Sequence, residues 1–294
     1  MARPFKPLVC LLAALLLWQG TAYAQQDILD RIDAVYSLSE RNNAAALVQI
    51  RALGDELPAT APYAVQREYL STRIDLELDS GHTDAAKASI AKLMDLAKAQ
   101  AKPDDTGLAM AMGFEASIMV SAAQHARAII QLDAARPFVL RSADPVALWQ
   151  HYRMLGSAQL SVGKFDLALE SYLKSLQYAD KQTRHPKQAR LRALNGLSNV
   201  YAAMKNHEKA LSVIGEALAL ATELDSRKMM ATLYLNQGGE FAELGRHADY
   251  AAANEKALKI SRESGLAPLE ATILNNMGDG YLRSHDYPKA EQLA

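Results

Sequence analysis

The stretch LGSAQLSVGKFDLALESYLKSL, Leu155–Leu176, decides the fold, because three later stretches align on it without a gap. They are LSNVYAAMKNHEKALSVIGEAL (Leu197–Leu218), QGGEFAELGRHADYAAANEKAL (Gln237–Leu258) and MGDGYLRSHDYPKAEQLA (Met277–Ala294). With Leu155 and Gly156 placed at positions 7 and 8, units start at 149, 191, 231 and 271. The same register steps back, with more decay, to starts at 109, 67 and 27, so the intervals along the chain are 40, 42, 40, 42, 40 and 40 residues. A fixed period of this size marks a stack of units, none of which can bury its apolar face alone.

The columns of this alignment have physical reasons. Position 20 reads Ala46, Ala86, Ala128, Ala168, Ala210, Tyr250 and Ala290, and a small residue there lets two helices of one unit approach closely. Position 8 is also mostly small: Ala34, Ile74, Ala116, Gly156, Ser198, Gly238 and Gly278. Position 11 turns aromatic late in the chain, at Tyr201, Phe241 and Tyr281, where a ring fills the space that small neighbours leave. Position 27 (Leu53, Leu93, Ala135, Ser175, Ala217, Ala257) falls on the same inward face. Within a unit the apolar period is helical, as in Leu191, Leu194, Leu197, Val200, Tyr201 and Met204. Gly81, Gly163 and Gly245 at position 15 suit the left-handed cap that ends a first helix. Asp144-Pro145 reads as an N-cap followed by proline at the first helical position, and His185-Pro186 and Ala267-Pro268 fall at matching points. Each unit is therefore helix, tight turn, helix.

The small columns at 8 and 20, the aromatic at 11 and the late Ala217-Leu218 and Ala257-Leu258 resemble the tetratricopeptide repeat. The resemblance covers 149–294 with clear repeats and 25–148 as degenerate helical hairpins. The usual period of that family is about 34 residues. The longer one here is similar to the subclass with extended helices, which includes the kinesin light chain type, as is Leu274-Asn275-Asn276-Met277-Gly278. The resemblance implies an all-α, right-handed α-solenoid of helix-turn-helix repeats, one continuous stack. Tyr250 and Asn254 depart from the pattern, which predicts looser packing in the sixth unit.

The first 24 residues read as something else. Arg3 and Lys6 make a basic start, Leu8–Trp18 an apolar run, and Ala22-Tyr23-Ala24 a small-x-small site, which together read as a cleaved secretory signal. An uncleaved N-terminal anchor is the alternative, although the run is short for a membrane span. Cys10, inside this segment, is the chain's single cysteine, so the mature part has no thiol or disulfide chemistry. That fits a periplasmic or secreted protein. Removing Arg3 and Lys6 takes the formal charge from −1 to −3, and no basic stripe points to nucleic acid. Ala294 falls at position 24 of the seventh unit, in mid-helix and with no polar capping helix after it, so the sequence reads as a piece of a longer protein.

No HExxH, GxSxG, phosphate-binding glycine loop or paired-cysteine motif is present, so no catalytic residue, metal site or cofactor is predicted. His82, His207, His247 and His285 fall near the turns and read as exposed. Tyr63, Tyr69, Trp149, Tyr152 and Tyr234 read as packing residues, and the basic run Arg184–Arg192 as a solvated helix face. The resemblance implies that first helices line a concave surface. There the candidate peptide-binding residues are Arg153, Asn195, Asn199, Asn236, Asn275 and Asp279, with Asn276 adjacent. Asparagine amides donate to and accept from a peptide backbone, so such a ladder suits an extended chain. The lysine clamp that some relatives use for a terminal carboxylate has no match here.

The functional expectation is an exported module that binds a protein or peptide in this groove, without enzymatic activity of its own. An export signal followed by a degenerate and then regular repeat resembles the periplasmic part of bacterial membrane proteins with a cytoplasmic GGDEF diguanylate cyclase, or less often a histidine kinase. That resemblance implies a membrane link through a later helix or an uncleaved signal. It also implies signalling through altered curvature or homodimer formation. The alternative is a stand-alone periplasmic scaffold or assembly protein.

Overall fold

Apolar residues at helical spacing leave the chain one economical way to bury them, and the computed structural model is helical throughout the residues it describes, 25–58, 60–283 and 291. The predicted signal at 1–24, His285 and Ala290 lie outside those residues. In chain order the helices are α1 (25–39), α2 (Asn43–Glu56), α3 (Tyr63–Asp79), α4 (Thr83–Lys98), α5 (Asp105–Ser121), α6 (His125–Ser142) and α7 (Pro145–Ser161). They continue as α8 (Phe165–Ala179), α9 (Pro186–Ala203), α10 (His207–Glu223), α11 (Arg227–Glu243), α12 (His247–Glu263) and α13 (Ala267–Arg283). The chain divides into two compact units between Leu96 and Ala97. This division falls inside α4, not at 148/149 where the sequence pattern becomes regular.

The hairpin turn is what repeats. After α3, α5, α7, α9 and α11 the second residue beyond the helix is left-handed: Gly81, Ala123, Gly163, Lys205 and Gly245, with φ between +57° and +75°. The next N–H reaches back to the carbonyl at position 11 (His82 to Glu77, Gln124 to Met119, Lys164 to Gln159, Asn206 to Tyr201, Arg246 to Phe241) at 2.7–2.9 Å. This paired-bond ending satisfies carbonyls that a helix terminus leaves orphaned. Two of the five hairpins adopt it without the glycine that flags it in sequence. At the other end, the Asp144 carboxylate accepts from the Val146 and Ala147 N–H groups, and Pro145 opens α7.

In the second unit each helix packs on the next, and the predicted alanines Ala128, Ala168 and Ala210 are fully buried at the hairpin crossings. One core cluster joins Ala168 and Tyr172 of α8, Leu191, Leu194, Leu197 and Val200 of α9, Ile214 and Ala217 of α10 and Leu233 of α11. First helices also touch one another in succession (α5 with α7, α7 with α9, α9 with α11, α11 with α13). Among the described residues no such contact joins α6, α8, α10 and α12. The first helices of this unit therefore stand closer together, which puts them on the inside of its curve.

Glycines let large side chains cross between helices. The Tyr172 ring lies between Gly156 of α7 and Gly196 of α9: a Cβ at either position would sit 2.8 Å or 2.0 Å from it. The sixth hairpin, expected to be loose, uses the same device. Asn254 lies against Gly238 and Tyr250 against Gly280, where added Cβ atoms would meet them at 2.6 Å and 2.2 Å. The Tyr250 hydroxyl donates to the Asn276 carbonyl at 2.7 Å, and Asn254 Nδ2 to the Tyr250 carbonyl at 2.9 Å. The two departures from the repeat pattern are thus matched by glycines on the facing helices, and close packing is kept.

Candidate functional site

Helices α7, α9, α11 and α13 carry the six residues singled out from sequence. Asn195 and Asn199 are one turn apart on α9, and both are half-buried. Asn236 on α11, one position off the column that contains Asn195, reaches between them. Its Nδ2 donates to Asn195 Oδ1 and to Asn199 Oδ1, each at 3.2 Å. Both amide hydrogens of Asn236 are spent in this way. The cluster therefore presents one acceptor, Asn236 Oδ1, and the two donor groups Asn195 Nδ2 and Asn199 Nδ2. This neutral set matches the alternating C=O and N–H of an extended backbone.

The other three residues do not join it. Arg153 stacks on the Trp149 ring at 5.0 Å, one turn back on α7. Trp149 in turn donates from its indole nitrogen to the Ala189 carbonyl at 3.0 Å, and the Ser175 hydroxyl donates to the Trp149 carbonyl at 3.2 Å. Burial pushes the Tyr172 phenol above its usual range, opposed by the charge of Arg153 and a hydrogen bond with Ser157. Arg153 is thus built into the packing around Trp149 and Tyr172. Asn275 and Asp279 are exposed on α13.

Other sequence expectations resolve individually. His82 and His247 are exposed, but His207 is not a free turn histidine: its Nδ1 lies 2.8 Å from Glu240 Oε2 on α11. Two cations of the basic run are held in ion pairs. Arg190 bonds to Asp180 at 2.9 Å and to Glu216 at 2.5 Å, and Lys187 pairs with Glu223. The hydrogen bonds to Glu216 and Asp180 raise the Arg190 pKa above its ordinary value. Tyr152 stacks on Tyr178 with centroids 5.8 Å apart, a packing role.

Sequence reasoning did not single out Glu77, Arg73 or His151. Glu77 is fully buried; Arg73 Nε donates to it at 2.8 Å and the Ser89 hydroxyl at 2.9 Å. Burial disfavours the charged form of Arg73, but hydrogen bonds to Glu77 and Tyr69 outweigh it and hold the guanidinium above its ordinary pKa. The Arg73-x-x-x-Glu77 spacing was the available signal. His151 is buried with neither ring nitrogen hydrogen-bonded, and burial lowers its pKa to about 4. Among the described residues no group of histidines, cysteines and carboxylates is placed to hold a metal ion, and no helix is long and apolar enough to cross a membrane.

Residues 147–223 match the tetratricopeptide repeat family model. These residues accordingly carry tetratricopeptide repeats, and the fold is all-helical, of packed consecutive helix pairs in the α-solenoid class. The 43 kDa receptor-associated protein of the synapse from Gallus gallus is 32% identical over 139 residues, which cover 46% of this chain and 33% of that protein. The Tetronarce californica protein of that name is 28% identical over the same length. The match thus spans a third of these relatives. Among solved structures, a Rap protein complexed with Competence and Sporulation Factor is similar at a TM-score of 0.66 and 13% identity, covering 92% of this chain and 74% of that one. A signal transduction ATPase with a tetratricopeptide repeat sensor from Pyrococcus horikoshii gives 0.62 at 15% identity, covering 87% of this chain and 38% of that one.

Proposed function

We infer that this chain is a protein-interaction module, a role supported by the tetratricopeptide repeats at 147–223. We propose that its bound partner is an extended peptide segment lying along the first-helix face of the second unit, held by Asn195, Asn199 and Asn236. The observation that carries this reading is the hydrogen-bonded asparagine cluster bridging α9 and α11. It leaves backbone-matching donors and an acceptor on the inner side of the curve. The cluster is uncharged, so selectivity comes from neighbouring contacts and affinity from the backbone. Asn275 and Asp279 continue the same face on α13. That a Rap protein of similar fold is complexed with Competence and Sporulation Factor supports a ligand-holding role for such a stack.

The test is selection of extended peptides from a display library on the full chain, followed by titration against Asn195→Ala, Asn199→Ala and the triple variant with Asn236→Ala. Loss of about tenfold or more is expected for the triple variant, since several backbone hydrogen bonds disappear together. Unchanged affinity with unchanged helicity would remove these residues from the site.

The same reading extends to cellular role. The chain is exported through residues 1–24 and serves as the sensory ectodomain of a membrane signalling protein of the diguanylate cyclase type. Support comes from the basic, apolar and small-x-small order of that segment. A reporter fusion after Ala24 tests export. The gene beyond codon 294 tests the sensor, which requires an apolar span of about 20 residues and a catalytic domain beyond it.

A further inference from the structure

The first unit contains a cleft that the peptide-binding reading does not use. It lies between α2, α3 and α4, far in sequence from the asparagine cluster, and has a volume of 270 Å³. That is below the usual range for drug-sized ligands and suits a metabolite of roughly ten non-hydrogen atoms. Leu57, Pro58, Leu70 and Ala88 supply its apolar lining. The same lining is rich in donors. Arg73 reaches in from α3, and it uses one N–H on Glu77 and one on the Tyr69 hydroxyl, leaving three of its five for a ligand. The exposed Lys92 ammonium adds a second cation from α4, and the Gln66 amide spends one hydrogen on the Ala61 carbonyl and keeps the other. Asp55 is the single carboxylate on the lining. Glu77 lies behind Arg73, fully buried, and fixes the guanidinium in place.

We propose that this cleft binds a small carboxylate with a compact aliphatic body, its carboxylate paired with Arg73 and Lys92 and its aliphatic part against Leu57 and Leu70. A guanidinium held from behind by a buried acid is preorganised for a planar carboxylate in a way that a mobile surface cation is not. Branched aliphatic acids and the amino acids built on them share this chemistry. They differ at Asp55, which offers a partner to an α-ammonium group.

Titration calorimetry on the full chain with isovalerate, L-leucine and L-leucinol decides it. Leucine or isovalerate is expected to bind saturably, and leucinol, which lacks the carboxylate, is not. Lys92→Ala is expected to weaken binding about tenfold, the usual effect of losing one charge-assisted hydrogen bond. Ala88→Trp, at an exposed position on the rim, is expected to abolish binding by filling the cleft while leaving helicity unchanged. Asp55→Asn identifies the source: weaker leucine but unchanged isovalerate marks an amino-acid site, and equal binding of both marks a simple-acid site. Leucinol binding as well as leucine, no heat from any probe at about 10 mM, or wild-type affinity in both Lys92→Ala and Ala88→Trp would overturn the proposal. Alanine at Asn195, Asn199 and Asn236 leaves this site intact, so its failure and that of the peptide face are separable.

Discussion

The hairpin α3–α4 in the first unit and the hairpin α9–α10 in the second turn the same way and fill the same space with opposite chemistry. Both end the first helix with a left-handed residue, Gly81 or Lys205, and the same backbone bond back to position 11. In the first hairpin the side chains at positions 11 and 23 are Glu77 and Ser89, hydrogen-bonded inside the core, with Arg73 completing the set. In the second they are Tyr201 and Val213, part of an apolar cluster. The α7–α8 hairpin takes an intermediate course: the Ser171 hydroxyl donates to Gln159 Oε1 at 2.7 Å in the same two columns. The backbone turn and the small residues at the crossing thus set the register. The pair of positions above them accepts an ion pair, a neutral hydrogen bond or an apolar contact, provided that every polar group finds a partner.

The largest effect expected from breaking this comparison comes from Arg73→Met. It strands the Glu77 carboxylate in the core and should destabilise the first unit by about 3–5 kcal/mol, the cost of an uncompensated buried charge. Urea unfolding followed by circular dichroism reads it. Replacing Arg73, Glu77 and Ser89 together by Leu, Tyr and Val, in the manner of the second hairpin, should recover most of that loss. If the triple variant is as unstable as the single one, the two fillings are not interchangeable.

Next comes a buried polar group that has no hydrogen-bond partner. His151 on α7 is buried, faces the charges of Arg136 and Asp133, and has its pKa lowered from 6.5 to about 4. The native state therefore binds fewer protons than the unfolded chain between those values. Stability is at its full value above pH 6.5 and falls as pH drops toward 4, by about 3 kcal/mol. His151→Leu should flatten that part of the stability–pH curve, and an unaltered curve would assign the slope to other groups.

Gly196→Ala sharpens the contrast between crossings and exposed helix faces. The added carbon would sit 2.0 Å from the Tyr172 ring, and the overpacking should cost about 2 kcal/mol in thermal denaturation. Gly239→Ala on α11, with nothing within 4 Å, should instead gain about 0.5–1 kcal/mol from helix propensity. The smallest effect concerns the turns. Lys205→Gly and Ala123→Gly relieve left-handed strain at φ +58° and +57° and should each gain about 0.5 kcal/mol.

Much of this was present in the repeat columns. Ala46, Ala86, Ala128, Ala168 and Ala210 at position 20 are fully buried, Asp144 caps α7, and the glycines at position 15 are left-handed, because each of these roles depends on a residue's own size or backbone freedom. The candidate site was only partly legible. The columns point to Asn195 and Asn199. The bond from Asn236 depends on how α11 packs against α9, and the diversion of Arg153 to Trp149 depends on a ring one turn away. The cleft beside Arg73 had no motif, since its lining comes from three helices and the α2–α3 connection, which only packing brings together.

The sequence alone therefore determined the helix-turn-helix period, its register and its close crossings, all of which follow from local periodicity and residue size. Only the tertiary structure decided that Tyr172 and Tyr250 would each be seated on a glycine of a neighbouring helix, that Glu77 would be buried with a bound cation, and that His207 would bond to Glu240. These outcomes depend on side chains that meet across helices, at distances that spacing along one helix does not encode.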